Sequence, residues 1–277
     1  MAECQELVAG GCLYLVATPI GNLSEISPRT RHYLQAADCI AAEDTRISLQ
    51  LLRHLGLSKK VVALHAHNEK MAAANIMEML RTGQSVAYVS DAGMPGISDP
   101  GNHLIALAHQ QGVRVVPISG PSAIINAVAA SGWAEHGFIF LGFLSRKTKL
   151  LEQQSKTMLT STLPVVVLES PERILATLNK IAQILPPQRL ICICREMTKL
   201  HETIRIDTIE HWLAQPPLAK GEFTLVIQGA GEADQKKQID DRYHFYKTHT
   251  PMTHLEILNL LAIEFDINVK RLKYHFV

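Results

Sequence analysis

The chain has 277 residues, of which 47% are hydrophobic and 19% charged, and its formal net charge is +1. A charge so close to zero excludes proteins that bind nucleic acid over a uniformly basic surface, so a polyanion would have to meet a local patch. No apolar run approaches the roughly 18 residues of a membrane span, and the first residues lack the basic segment of a secretory signal. The five cysteines show no paired spacing, which is typical of a reducing compartment. We therefore expect a cytoplasmic protein with no membrane partner.

Short apolar runs alternate with helix-like segments over the first part of the chain. The runs CLYLVA, CIAAE, VVALH, SVAYVS and VRVVPIS are typical of strands, and each precedes a segment whose apolar residues have helical spacing. Several of these segments end at a glycine, such as Gly56 or Gly83, as helix C-caps do. This alternation predicts an α/β domain with a largely parallel sheet, which we place at residues 12–118.

The pattern changes after about residue 134. Five further apolar runs (GFIFLGFL, LPVVVLES, RLICICRE, HETIRI and EFTLVIQG) have fewer helical segments between them. Neighbouring strands without a crossover helix predict antiparallel pairs. We therefore expect a second, mixed α/β domain at residues 119–230.

The rest of the chain predicts a small helical appendage at residues 236–277. Residues 229–241 (GAGEADQKKQIDD) indicate a polar linker in front of it. Apolar residues at positions 255, 258, 261 and 265 predict one face of a helix. Residues 266–268 predict a break, and the residues after it a short basic helix.

Three loops rich in glycine and proline follow predicted strands. They are residues 17–22 (ATPIGN), residues 90–101 (SDAGMPGISDPG) and residues 119–123 (SGPSA). In a parallel sheet such loops share the carboxyl edge, where ligands bind. Glycine permits close backbone approach and proline restricts the chain, so the set predicts a ligand site rather than three well-capped turns. The dinucleotide and phosphate-loop motifs are both absent from the sequence.

Two more motifs place ionisable groups at strand ends. Residues 42–46 (AEDTR) hold Glu43, Asp44 and Arg46, and residues 65–69 (HAHNE) end in Glu69. A carboxylate at such a position could act as a general base, so these four residues are the catalytic candidates. The alternatives are that Asp44 or Thr45 caps the next helix and that the second motif is a polar turn.

His65 and His67 leave a different class of protein open. Two histidines on one strand face can bind zinc, and Asp91 and Asp99 could complete the site of a metal-dependent hydrolase. A non-catalytic RNA-binding module is another alternative, but it leaves the three loops unexplained.

Two basic clusters could contact RNA. One comprises Arg146, Lys147 and Lys149, and the other comprises Lys270, Arg271 and Lys273 near the aromatic residues 274 and 276. Basic residues interleaved with aromatic ones suit phosphate contact and base stacking, although charge clusters are also common on solvated faces.

Six motifs in chain order resemble the tetrapyrrole-methylase superfamily: ATPIGNL, AAEDTR, LHAHNE, SDAGMPGISDPG, ISGPSA and KGEFTLVI. They are most similar to its branch that methylates ribosomal RNA, and the resemblance covers about residues 12–230. It implies two α/β domains with a cofactor cleft between them, S-adenosylmethionine as cofactor, no metal, and a homodimer. It also implies methylation of the 2′-oxygen of a cytidine in the decoding region of 16S ribosomal RNA, either free or in the assembled small subunit.

The resemblance further implies a set of cofactor contacts: Pro19, Asp91, Met94, Ile97, Ser122, Ala123, Glu169 and Ser170. By analogy, residues 223–224 lie near the adenine. Tetrapyrrole-specific members carry Gly-Pro-Gly-Asp where this chain has residues 19–22 (PIGN), and Gly-Asp-Pro where it has residues 90–92 (SDA). Both departures favour RNA over a tetrapyrrole, whose C-methylation is the alternative within the superfamily.

Overall fold

Five short strands form the first sheet of the computed structural model, which describes residues 11–265 and 267–276. They are β1 (Cys12–Val16), β2 (Cys39–Ala42), β3 (Lys60–Ala63), β4 (Val86–Val89) and β5 (Arg114–Ile118). Their order is β3-β2-β4-β1-β5, and every neighbouring pair is parallel. The central strands are apolar on both faces because helices cover both sides of the sheet. The predicted parallel sheet is therefore confirmed.

Four helices connect these strands: α1 (Pro28–Ala36), α2 (Thr45–His54), α3 (Glu69–Arg81) and α4 (Asn102–Gln110). Ser27 and Asp44 cap α1 and α2 by accepting a hydrogen bond from a backbone N–H of the first turn. Leu34 of α1 packs in the core on one side of the sheet, and Ile76 of α3 packs in the core on the other. These apolar faces fix the sheet between two helical layers.

The second sheet is mixed, as the sequence predicts. Its strands are β6 (Ile139–Phe143), β7 (Val165–Glu169), β8 (Leu190–Arg195), β9 (Thr203–Thr208) and β10 (Phe223–Ile227). Their order is β6-β7-β10-β8-β9, with β6 and β7 parallel and the other neighbours antiparallel. The accompanying helices are α5 (Ala123–Ser131), α6 (Thr148–Thr160), α7 (Ile174–Ile184) and α8 (Ile209–Ala214).

Two of these helices, α5 and α6, relate differently to the sequence prediction: α5 lies within the predicted second domain, and α6 is not predicted. Helix α5 follows the last strand of the first sheet, yet its Ala127 and Val128 pack against Val166 and Val226 of the second sheet. Helix α6 is absent from the predicted elements, because its buried face includes the polar residue Gln154. The amide of Gln154 is satisfied locally, since it accepts a hydrogen bond from the backbone N–H of Ser145 at 2.8 Å.

Three helices form the C-terminal appendage: α9 (Glu232–His249), α10 (His254–Phe265) and α11 (Val269–His275). They enclose a small core of their own, built from Ile239, Tyr243, Ile257, Leu258, Leu261 and Leu272. The predicted apolar face of α10 is only partly right, because Leu255 is half exposed and Ile257 is buried in its place. The predicted break includes Asp266, which lies outside the described residues. None of the helices in the described ranges is long and apolar enough to cross a membrane.

The polar linker predicted at residues 229–241 is wrong, because helix α9 begins at Glu232. Ile239 and Tyr243 are four residues apart and therefore share the helix face that packs on α10. Close to its start, α9 is also bound to the second sheet. Arg189 is 4% exposed, and its Nη2 lies 2.8 Å from the Oδ2 of Asp234, while its Nη1 donates to the carbonyl of Gln228 at 3.1 Å.

Replacing Asp234 should therefore destabilise the protein. In Asp234→Asn the buried guanidinium of Arg189 loses its charged partner, and we expect the free energy of unfolding to fall by about 1–3 kcal/mol. Urea denaturation measures this change. Asp241→Asn is the matched control, because Asp241 lies on the same helix and is exposed. Equal stability of the two variants would contradict a stabilising role for the ion pair.

Candidate functional site

The three glycine- and proline-rich loops meet at one edge of the first sheet. They follow β1, β4 and β5, and β1 lies between the other two strands. The first two loops are hydrogen-bonded to each other, since the N–H of Thr18 donates to the carbonyl of Gly93 at 2.9 Å and the N–H of Gly93 donates back at 3.1 Å. Gly93 has a φ of +81°, a conformation that glycine adopts without strain. Strand order thus brings together the loops that the sequence singles out.

A cavity of about 400 Å³ opens beside these loops. One wall comes from residues 90–101 and from the first turn of α5. The opposite wall comes from the second sheet, at the ends of β6 and β7 and the start of β10. The apolar residues that line the cavity include Ile20, Met94, Ile97, Phe143, Leu168 and Phe223. A concave site with apolar walls and a few polar groups is the usual form of a small-molecule site.

Most of the predicted cofactor contacts line this cavity. They are Asp91, Met94, Ile97, Ser122, Ala123, Glu169 and Ser170, and residues 223–224 join them. Pro19 does not; it lines a smaller cavity of about 210 Å³. Asp91 lines both cavities and so lies between them.

The carboxylate of Glu169 is occupied within the protein. Its side chain is fully buried and accepts hydrogen bonds from the backbone N–H of Ser170 at 2.9 Å and from the hydroxyl of Thr177 at 2.5 Å. The Nε of Arg173 lies 3.3 Å from it. Glu169 therefore fixes the start of α7 and shapes the wall of the cavity.

Besides Glu169 and Glu222 of the second sheet's side, three acidic residues line the cavity: Glu43, Asp91 and Asp99. Asp91 is joined to the end of β2, because its Oδ1 accepts a hydrogen bond from the backbone N–H of Asp44 at 3.0 Å. Burial raises the pKa of Asp99 to about 6; the hydroxyl of Ser90 lowers it and the charge of Asp91 raises it further. Burial, followed by the charges of Asp99 and Asp91, raises the pKa of Glu43. Burial also raises the pKa of Asp91.

Raised carboxyl pKa values in one cavity are a common mark of a functional site. They also mean that a positively charged ligand would relieve repulsion among these groups. From the sequence, Asp99 is a candidate only for a metal site. The signal that could have found it is its place in the same long loop as Asp91.

Two other catalytic candidates, Asp44 and Arg46, form a pair at the start of α2. Asp44 accepts a hydrogen bond from the backbone N–H of Arg46 at 2.8 Å, and the Nη2 of Arg46 lies 2.6 Å from its Oδ2. These hydrogen bonds lower the pKa of Asp44 to about 2. Neither residue lines the 400 Å³ cavity. The helix-cap alternative therefore accounts for Asp44.

The remaining candidate, Glu69, contacts the far end of the long loop. Its Oε1 accepts hydrogen bonds from the backbone N–H groups of Gly101 and His103 at 2.8 and 3.0 Å, at the start of α4. A carboxylate at that position satisfies N–H groups that have no partner within the helix. Of the four catalytic candidates, only Glu43 lines the cavity.

The histidine pair does not form a metal site with its neighbours. The rings of His65 and His67 are 6.1 Å apart, and the backbone N–H of His65 donates to the side chain of Asn68 in a tight turn. Across residues 11–265 and 267–276, no three His, Cys, Asp or Glu residues are placed to hold a metal ion. The hydrolase alternative therefore lacks a ligand set in the part of the chain that the structure describes.

The two basic clusters lie in different parts of the molecule. Arg146, Lys147 and Lys149 are exposed at the end of β6 and the start of α6, shortly after Phe143 of the cavity wall. Lys270, Arg271 and Lys273 are exposed on α11 of the appendage. Only the first cluster adjoins a cavity residue in sequence.

The pKa of Asp99 predicts a pH dependence of stability. An ordinary aspartate has a pKa of about 3.9, and Asp99 in the folded protein has a pKa of about 6. Between these pH values the folded state holds a proton that the unfolded state has released. Stability should therefore fall as the pH rises from about 4 to about 6. Asp99→Asn removes this contribution, and urea denaturation across that range should show a flatter profile than the unsubstituted protein.

Asp44→Asn is the control for this measurement. The lowered pKa of Asp44, about 2, places its effect at lower pH and with the opposite sign, so stability rises there as the carboxyl ionises. Above about pH 4 the profile of this variant should run parallel to that of the unsubstituted protein. An Asp99→Asn profile that is also parallel would show that Asp99 does not titrate in this range.

Comparisons with known proteins agree with the fold. The family model "Tetrapyrrole (Corrin/Porphyrin) Methylases" matches residues 12–212. The chain is 43% identical to Ribosomal RNA small subunit methyltransferase I from Haemophilus influenzae, over 83% of this chain and 82% of that protein. It is 40% identical to the protein of the same name from Xylella fastidiosa, over 87% of this chain and 90% of that one.

Solved structures extend the comparison to the fold. The methyltransferase CobJ superposes with a TM-score of 0.62 at 19% identity, covering 80% of this chain and 95% of that one. The uroporphyrin-III-C-methyltransferase from Thermus thermophilus gives a TM-score of 0.57 at 15% identity, covering 79% and 94%. The family match, the relatives and the shared fold confirm the resemblance that the six motifs predict: the chain belongs to the tetrapyrrole methylase family.

Proposed function

We propose that this chain transfers a methyl group from S-adenosylmethionine to the 2′-hydroxyl of a cytidine in the decoding region of 16S ribosomal RNA. The observation that carries the proposal is the cavity in which Glu43, Asp91 and Asp99 meet apolar walls. Relatives at 40–43% identity are named as methyltransferases of small-subunit ribosomal RNA, which supports the reaction and the class of RNA. The nucleotide and the ribose oxygen rest on the motif resemblance.

S-adenosylmethionine is the cofactor of this family, and the cavity suits it in three respects. Its apolar side chains, such as Met94 and Leu168, can pack on a flat adenine. The carboxylates of Asp91 and Asp99 suit a cationic ligand with ribose hydroxyls. The first turn of α5 contributes Ser122 and Ala123 to the wall, and N–H groups at a helix start favour a carboxylate such as that of the methionine part.

The chain itself must position the two reactants and accept a proton. When bound, the cofactor supplies a methyl group that is already activated by its sulfonium. A ribose hydroxyl is weakly acidic, so a base beside it is needed. Glu43 lies in the cavity with a raised pKa, which brings it closer to neutrality and makes it a better proton acceptor. The apolar walls limit competing water.

The RNA would be held by the exposed basic residues. Arg146, Lys147 and Lys149 would bind phosphates next to the cavity, and Lys270, Arg271 and Lys273 would do so on the appendage. We include a homodimer in the cytoplasm in this proposal, acting on free RNA or on the assembled subunit. Methylation of a tetrapyrrole carbon is the second candidate, because the two structural neighbours share the fold.

A reconstituted reaction tests the proposal. The purified protein is incubated with labelled S-adenosylmethionine and small ribosomal subunits from a strain that lacks its gene. Nuclease digestion and mass spectrometry should reveal one 2′-O-methylcytidine per subunit, and the same digest of untreated subunits is the control. A methyl group on a base, or transfer to uroporphyrinogen in a parallel reaction but none to RNA, would overturn the proposal.

Glu43→Gln tests the general base. The substitution keeps the size of the side chain but removes the proton acceptor, so turnover should fall about 10²- to 10⁴-fold. Affinity for S-adenosylmethionine, measured by calorimetry, should change little. Asp44→Asn is the matched control, because Asp44 precedes α2 and lies outside the cavity. This variant should retain most of the turnover of the unsubstituted protein. Near-normal turnover of Glu43→Gln would place the base elsewhere.

A further inference from the structure

Strand β6 contains an irregularity close to the cavity. Ile139 and Phe140 pair with Val165 and Val166 of β7, but the next pair is Gly142 with Val167. One residue of β6 is thus extra, which is the definition of a β-bulge. Gly142 has a φ of +65°, a value that favours glycine.

The bulge decides which way Phe143 points. In an unbroken strand, residues 140 and 143 would face opposite sides, because side chains alternate. The extra residue instead pairs Phe143 with Leu168, two positions after the Val166 that pairs with Phe140. Phe143 and Phe140 therefore share one face of the sheet, and Phe143 lines the cavity together with Leu168.

Phe143 is also the exposed part of this wall. It is 49% exposed, whereas Ile20, which lines the same cavity, is 7% exposed. A half-exposed aromatic ring beside a cavity offers apolar surface that a bound molecule can bury. The inner wall already supplies buried apolar surface for a ligand that lies wholly inside the cavity.

The residues after Phe143 indicate what covers it. Arg146, Lys147 and Lys149 are exposed and follow within six residues. In the part of the chain that the structure describes, the side chains of Arg146, Lys147 and Lys149 form no ion pair. An exposed ring beside basic side chains is the combination by which proteins hold single-stranded nucleic acid, with a base on the ring and phosphates on the cations.

We propose that Phe143 is a platform on which a base of the RNA substrate stacks at the mouth of the cavity. This inference rests on the proposed function and adds a positioning residue to it. The stacked base holds the strand while Arg146, Lys147 and Lys149 bind neighbouring phosphates. The target ribose is then directed toward Glu43 inside the cavity. The β-bulge thus turns the ring of Phe143 toward the cavity, and the basic residues that follow β6 lie next to it in the chain.

Three substitutions separate stacking from simple apolar contact. Phe143→Ala removes the ring, Phe143→Leu keeps apolar volume without a ring, and Phe143→Tyr keeps the ring. Binding of a fluorescent single-stranded RNA of the decoding-region sequence is measured by anisotropy, and binding of S-adenosylmethionine by calorimetry. Leu150→Ala is the control, because Leu150 is a similarly exposed apolar residue in the next helix at 47% exposure.

Stacking gives a definite pattern of results. Phe143→Ala should weaken RNA binding roughly 5- to 150-fold. Phe143→Leu should bind RNA about as weakly as Phe143→Ala, and Phe143→Tyr should bind it about as tightly as the unsubstituted protein. The salt dependence of binding should not change, whereas Lys147→Ala should lower its slope by about 0.7. Affinity for S-adenosylmethionine should change much less than RNA affinity in the Phe143 variants, and it should stay the same in Lys147→Ala and Leu150→Ala.

Other patterns overturn the inference. A comparable loss of S-adenosylmethionine affinity in Phe143→Ala would make Phe143 a cofactor contact. Full RNA affinity in Phe143→Leu would show that only apolar area matters. If the unsubstituted protein methylates RNA and Phe143→Ala binds it equally well, the inference fails alone. If the unsubstituted protein neither binds nor methylates RNA, the proposed function fails and the inference falls with it.

Discussion

The constraint on which the site depends is the pairing of β1 with β4 on one side and β5 on the other. Parallel strands end at the same edge, so this order alone puts three loops side by side. The reciprocal hydrogen bonds between Thr18 and Gly93 then join two of the loops, and the hydrogen bond from Asp44 to Asp91 adds the end of β2. The second sheet contributes the facing wall, because α5 leaves the first sheet and packs on the second.

Some carboxylates near the cavity stabilise the fold and others line the cavity, and the hydrogen-bond donors around each one explain the difference. Asp44 and Glu69 each satisfy N–H groups at the start of a helix, and Glu169 is enclosed by three donors. Glu43 lines the cavity, and burial, followed by the charges of Asp99 and Asp91, raises its pKa. The carboxylate oxygens of Asp44, Glu69 and Glu169 are therefore occupied by hydrogen bonds that hold the fold. Of the four catalytic candidates, Glu43 is the one that lines the cavity, and we propose it as the base on that ground.

The sequence predicts a large part of this arrangement. Strand and helix alternation depends on local spacing, so both sheets and the lining loops could be read from it. Helix α6 could not, because burial of Gln154 breaks the apolar pattern. The start of α9 could not be predicted for a related reason: its Asp234 is bound by Arg189, which lies 45 positions away along the chain. Glu69 shows the same limit, since its partners follow 32 and 34 residues later.

The long loop after β4 is held at several points along its length. Gly93 is bonded to Thr18 near the start, and Glu69 holds Gly101 at the end. The hydroxyl of Tyr88 donates to the carbonyl of Pro100 at 2.5 Å. Most of the entropy that a twelve-residue segment can lose is therefore lost when the chain folds. A molecule that enters the cavity meets a preorganised wall, so more of its contact energy remains as affinity.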